Sequence, residues 1–201
     1  IQKLFSEESK LKILEIGSND GYLLSLLKNF GHNVLGIDAS PSMNELALKN
    51  GVNSKLGIFD YKFAKNILSE FGKFDLIIAN NVFNHADNPQ SFFKAACYLL
   101  KDKGFFVFES PYWLNSISSG KFDQVYHEHV TYLTAKAIEK IVSLNNMNIS
   151  DIQLSEYHGG SIRFFISKDK NDKGLEKTKK FIYEETKLGL FSPLFYKEFM
   201  Q

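Results

Sequence analysis

Cysteine is nearly missing from this chain: Cys97 stands alone among 201 residues. One thiol excludes an internal disulfide and a cysteine-built zinc site, and it fits a reducing compartment. No apolar run approaches the roughly 18 to 20 residues that a membrane span requires, and the first residues lack the pattern of a signal peptide. A cytoplasmic protein is the expectation. An excess of charge is missing too, since 24 Lys and Arg face 23 Asp and Glu. No basic field gathers nucleic acid and no acidic one repels it. These absences leave a small molecule as the expected partner, with neither nucleic acid nor membrane involved.

What remains is an ordinary globular composition, 44% apolar and 23% charged, long enough for one well-cored domain with an appendage. The 19 Phe and nine Tyr are spread over strand and helix positions and read as aromatic core. Apolar runs bounded by turn residues alternate with helical patterns, the signature of strand and crossover-helix units around a parallel sheet. KILEIG (12–17), NVLGID (33–38), a weaker NSKLGIF (53–59), FDLIIAN (74–80) and FFVFES (105–110) read as strands. Helices are expected over 21–31, from Ser40-Pro41 onward, over 88–104, and from a Thr134 cap to about Asn145. Residues 111–133 break the rhythm and predict an insertion over the carboxyl edge of the sheet. Two further strands joined at His158-Gly159-Gly160 follow, and a charged amphipathic helix after residue 168 reads as a solvated face or a partner contact.

The stretch LEIGSNDGYLL carries Gly17 and Gly21 between the first strand and its helix, with Asn19 between them. Such a turn lets backbone approach a ligand, and the open helix terminus is partly positive. Glu15 and Asp20 crowd this turn with anionic groups, which would repel a pyrophosphate. A cationic ligand fits better, and S-adenosylmethionine (SAM) carries a sulfonium and an ammonium but no phosphate. Asp38 ends the second strand, where a carboxylate can accept hydrogen bonds from ribose hydroxyls; NAD shares those hydroxyls. Asp60 follows the third strand, facing an adenine amine or merely closing a turn. Asn81 and His85 follow the fourth strand and are candidates for the same pocket.

The blocks E-I-G-S-N-D-G and G-I-D resemble the class I SAM-dependent methyltransferases. Taken in order, E-I-G-S-N-D-G-Y-L, N-V-F-N-H, E-S-P-Y, F-D-Q-V-Y-H-E-H-V-T-Y and H-G-G-S-I-R resemble more narrowly the C-methyltransferases that act on nucleotide-linked keto-deoxysugars. The resemblance covers roughly residues 10 to 167. It implies an α/β, Rossmann-like class I methyltransferase fold with a mostly parallel seven-stranded sheet and helices on both faces. Residues 1–168 would form the methyltransferase domain, and 169–201 a helical extension. Members of that family usually begin with a cysteine-ligated zinc module and continue into a second nucleotide-fold-like half. The zinc module's cysteines do not occur in this sequence and only a beginning of the second half is expected, with the last helix read as the start of a further region.

Methylating carbon requires a nucleophilic carbon, and removing a proton alpha to a ketone yields an enolate. Histidine titrates near neutral pH and suits that step. The resemblance implies His129 as the base, with Tyr126 and Glu128 lining the substrate pocket; Tyr126 or a neighbouring donor would stabilise the enolate oxygen. Tyr126 and His129 meet if the block forms a helical turn and lie on opposite faces if it is extended. The H-E-H spacing also matches ordinary metal ligands, but His85 and His158 have separate positional explanations, and no metal site is expected. Glu109 and Tyr112, at the end of the fifth strand, are candidates for lining the sugar pocket, as are His158, Ser161 and Arg163 in the H-G-G-S-I-R block. Arg163 reads either as a phosphate or carboxylate anchor or as the partner of a sheet-edge carboxylate. Three alternatives accompany this reading: SAM-dependent O- or N-methylation of a small molecule, a catalytically incompetent SAM-binding module, and, more weakly, an NAD-dependent oxidoreductase.

Overall fold

Seven strands form one sheet in the order β3-β2-β1-β4-β5-β7-β6, in a computed structural model that describes residues 4–5 and 10–199. The strands are β1 (Lys12–Ile16), β2 (Asn33–Asp38), β3 (Ser54–Leu56), β4 (Phe74–Asn80), β5 (Leu100–Pro111), β6 (Asn148–Ser155) and β7 (Ser161–Ser167). All pairings among β1 to β5 are parallel, and β7 enters antiparallel between β5 and β6. The expected fold class is what forms.

Period-two burial decides the faces. Leu14 and Ile16 of β1 join Phe106 and Phe108 of β5 in one cluster, under α3 (Tyr61–Phe71), α4 (Pro89–Leu99) and α6 (Ala135–Leu144). Ile13, Leu76 and Val107 face the other way, under α1 (Tyr22–Asn29) and α2 (Pro41–Lys49). Side-chain caps start several of the helices where the sequence offers an oxygen. Ser40, Asp60, Asn88 and Thr134 accept from the N–H groups of Met43, Phe63, Ser91 and Ala137. Pro41 and Pro89 stand just inside two of these starts, where their missing N–H costs nothing.

Two expected boundaries move. α4 stops at Leu99 instead of running on to Gly104, because Leu100 pairs with Phe74 and the chain enters β5 through an irregular register. β3 keeps only three residues. The insertion carries a short helix, α5 (Trp113–Ser118), and a 3-10 turn at Phe122–Gln124; its ends are joined where Trp113 N–H donates to Leu133 O. The C-terminal helix α7 (Asp172–Leu188) is more than a solvated face. It buries Gly174, Thr178 and Glu185 against β6 and α6, and α8 (Pro193–Phe199) turns back after it. Burial pushes the Cys97 thiol up to about 12, so it stays protonated in the packing under α4. Among the described residues no helix is long and apolar enough to cross a membrane.

Candidate active site

The β1–α1 loop is held by its own amides. Gly17 and Ser18 donate to Ile37 O, Asn19 to Asp38 Oδ2, Asp20 to Asn19 Oδ1, Gly21 to Ser18 O and Tyr22 to Asp20 Oδ1. The expectation that these N–H groups reach for a ligand is therefore corrected: at residues 17 to 22 they are used on the end of β2 and within the loop. What the loop leaves over is acceptors. Glu15 is 6% exposed, and its Oε2 has no hydrogen-bond partner; neither has Oδ1 of Asn81 at the end of the adjacent strand β4. Burial, then the nearby charges of Asp20 and Asp38, push the Glu15 pKa up to about 8. Buried acceptors without donors, in a loop with no amides to spare, fit a ligand that brings an ammonium rather than a phosphate. Gly17 adopts φ +70°, and a side chain there would meet Val82 Cγ2 at 2.2 Å. Only glycine fits.

A cleft of about 510 Å³ opens beside this loop at the carboxyl ends of β1 to β4, the crevice where open α/β sheets bind ligands. Gly17, Asp38, Asp60 and His85 line it, so four of the expected cofactor residues converge. Asp38 accepts Asn19 N–H and Ser40 N–H at 2.8 Å each, one on each oxygen. A carboxylate has about four lone-pair directions, so capacity for ribose hydroxyls remains. Asp60 caps α3 through Oδ1 at 2.6 Å while still lining the cleft. Asn19 and Gly21 shape the loop without lining the cleft; Asn19 has φ +51° and Gly21 φ +78°. Ile58, 78% exposed, and Val82 also line the cleft, and the sequence reading missed both. An exposed isoleucine just after a strand end was the available signal.

His85 carries the cleft over to the insertion. Its Nδ1 lies 2.8 Å from Glu128 O, and its ring centroid 5.1 Å from that of His129. Gln124 O sits 2.9 Å from His129 Nδ1, and a carbonyl only accepts, so Nδ1 carries a proton, which in the neutral ring leaves the lone pair on Nε2. Tyr126 Oη is 2.9 Å from that Nε2. The block forms a turn, with His129 N–H donating to Tyr126 O, which brings tyrosine beside histidine. Glu128 behaves differently: its carboxylate is exposed, 4.0 Å from His127 Nε2, and its backbone carbonyl is what meets His85. Among the described residues no three His, Cys, Asp or Glu side chains converge as a metal site.

The expected substrate residues mostly turn elsewhere. Tyr112 is 2% exposed and its hydroxyl donates to Glu185 at 3.1 Å, so it belongs to the core. Ser161 is fully buried and its hydroxyl donates to Tyr157 O, fastening the turn. Glu109 and Arg163 are opposite one another on β5 and β7 and form an ion pair at 2.6 Å, the structural alternative for that arginine. The side chain of His158 lies outside the described residues. Gly160 abuts the insertion, where a side chain would meet Asn115 Nδ2 at 2.5 Å.

This fold, with its cleft over β1 to β4 and a single antiparallel strand, is that of the class I SAM-dependent methyltransferases. Residues 1–151 match the family described as a methyltransferase domain, and the chain belongs to that family. It is 25% identical over 188 residues to C-methyltransferase NovU of Streptomyces niveus, covering 93% of this chain and 45% of that protein. It is 36% identical over 95 residues to a ubiquinone biosynthesis O-methyltransferase of Pelagibacter ubique, covering 47% of this chain and 39% of that one. The chain thus spans less than half the length of either relative. Magnesium protoporphyrin IX methyltransferase from Synechocystis PCC 6803, solved with bound S-adenosylhomocysteine (SAH), superposes with a TM-score of 0.62 at 16% identity, over 82% of this chain and 76% of that one.

Proposed function

We propose that this chain is the catalytic part of a SAM-dependent C-methyltransferase acting on a carbon alpha to a ketone, on a nucleotide-linked deoxysugar. The observation that carries the reading is His129 Nε2 within hydrogen-bonding distance of the Tyr126 hydroxyl and one ring away from the cofactor cleft through His85. NovU, similar over nearly the whole chain, supports carbon as the target, and the order of the sequence blocks supports the keto-sugar.

Bound SAM supplies an electrophilic methyl group on a sulfonium. Glu15 and Asn81 would hold its ammonium, Gly17 would let it approach β1, Asp38 would take the ribose hydroxyls and Asp60 would serve the adenine. The substrate carbonyl draws the Tyr126 hydroxyl away from His129. His129 Nε2 then accepts the alpha proton, the C–H electron pair moves into the enolate, and Tyr126 donates to the enolate oxygen. The enolate carbon would take the methyl group from the donor, whose sulfonium leaves as a neutral thioether, while the ketone re-forms and the proton stays on His129. The His85 ring, which lines the cleft, would keep His129 at its edge.

His129→Asn should lower turnover on a keto-sugar nucleotide by about 10² to 10⁴, the usual worth of a general base, while SAH affinity measured by calorimetry stays the same. Preserved turnover would remove His129 from the chemistry. A second reading, O-methylation, is favoured by the 36% identity to the ubiquinone biosynthesis enzyme. Substrate deuterated at the alpha carbon separates the two: loss of deuterium in the product supports carbon methylation, and full retention in a methylated product supports oxygen.

A further inference from the structure

The insertion that carries Tyr126 and His129 is tied down at both of its ends by one carboxylate from a distant helix. Glu185 of α7 is fully buried. Its Oε1 accepts the Tyr112 hydroxyl at 3.1 Å, at the point where β5 gives way to the insertion. The same oxygen accepts Ala135 N–H, and Oε2 accepts Lys136 N–H at 3.1 Å, where the insertion gives way to α6. Ala135 and Lys136 are the first two residues of α6, whose N–H groups have no partner inside the helix, and Thr134 Oγ1 takes the third, that of Ala137. An anion at this positive helix end is favoured twice, by hydrogen bonds and by the helix dipole.

Neighbouring contacts grip the same two points. Phe181 of α7 packs on the Tyr112 ring at 6.1 Å. Trp113 Nε1 donates to Tyr196 Oη of α8 at 3.1 Å, and Tyr196 Oη donates in turn to Leu190 O. The Lys136 ammonium lies 4.2 Å from the centre of the Phe191 ring. The two ends also hold each other through Trp113 N–H and Leu133 O. Between them the loop leans on Asn84 O, which accepts the N–H groups of both Val130 and Thr131 next to His129. A fully buried carboxylate carries a desolvation cost that simple packing does not require. A leucine of similar size would fill the space but would leave Ala135 N–H, Lys136 N–H and the Tyr112 hydroxyl unpartnered.

We propose that Glu185 is a positioning residue for the reaction, a clasp that fixes both ends of the insertion and so sets the Tyr126–His129 pair against the cofactor cleft. Its catalytic consequence rests on the proposed role of His129. The geometric consequence does not.

The test uses the full chain with Glu185→Ala and Glu185→Gln, and Tyr112→Phe as a milder variant that keeps the burial and removes one bond. Charge-assisted hydrogen bonds to a buried carboxylate are worth about 1.5–3 kcal/mol, so roughly tenfold to a hundredfold effects are expected. With Glu185→Ala, the Nδ1–H signature of His129 in ¹⁵N-histidine spectra should be lost, and the Val130 and Thr131 amides should exchange at least about tenfold faster. SAH affinity should hold within about twofold, because of the cleft residues named only His85 touches the insertion, while Gly17, Asp38 and Asp60 contact neither it nor Glu185. Turnover should fall at least about tenfold and be partly rescued by Gln, whose carbonyl oxygen still accepts. If Glu185→Ala does not fold, Tyr112→Phe should move the same readouts in the same direction by less. An unchanged His129 signature and unchanged exchange would overturn the proposal. A shifted signature with unchanged turnover would instead overturn His129 as the base and leave the clasp standing.

Discussion

At neutral pH the free protein holds Glu15 protonated, because burial and the carboxylates of Asp20 and Asp38 push its pKa up to about 8 from 4.5. The folded chain therefore binds one more proton than the unfolded chain between those values, and stability falls as pH rises through that window. Below about 4.5 the group is protonated in both states and its contribution is at its most favourable; above about 8 the loss is complete. Each pH unit is worth about 1.4 kcal/mol, so the cost at neutral pH is on the order of 3 kcal/mol. Glu15→Gln should raise the melting temperature at pH 8 and flatten the decline between pH 5 and 8. An unaltered slope would mean that Glu15 is ionised in the free protein. SAH should also bind with release of about one proton near pH 7, read from calorimetry in buffers of different ionisation enthalpy. Loss of that release in Glu15→Gln would assign the proton.

Among the elements, Gly174 in the first turn of α7 is where helix and sheet come closest. A side chain there would meet Ile149 O at 2.1 Å and Ser150 O at 2.8 Å, both backbone atoms of β6. Helix propensity alone favours Gly174→Ala by about 1 kcal/mol, but overpacking costs about 1–3 kcal/mol or more. Destabilisation by chemical denaturation is the expected outcome, and a stabilised variant would mean that α7 can shift outward freely. The same helix marks how far sequence reading reaches. β2, β4 and the Thr134-capped helix were legible because period and cap are local. The end of α4 was not: KDKG after an apolar run looks like a helix terminus, yet the partner of Leu100 is Phe74, far along the chain. Gly17, Asp38 and His85 were legible in the site because strand ends announce them. Tyr112 and Ser161 were misread because pairing and packing that no local pattern encodes turn their hydroxyls toward Glu185 and Tyr157 O. The tautomer of His129 depends on a backbone carbonyl, for which the residue type at 124 carries no signal.

At the scale of the whole molecule, two apolar clusters sandwich one sheet, and the site is assembled where three separate stretches of chain meet. The cofactor cleft draws on residues 16 to 92. The Tyr126–His129 turn comes next, and the helix that holds it follows, with Glu185 lying 50 residues beyond Ala135 and 73 beyond Tyr112. Native-state hydrogen exchange should accordingly find the amides of Val130 and Thr131 opening at a lower free energy than those of β1 and β4. Equal protection would mean that sheet and insertion unfold as one unit. Long-range contacts form late because the entropy of closing the loop precedes any gain from them. During synthesis, β6 emerges before its partner β7 and has no strand to pair with, since β7 alone joins it to β5. The half of the molecule built on β1 to β4 meets no such delay. A nascent chain would thus have its cleft over β1 to β4 in place before the helix that fastens the Tyr126–His129 turn has been made.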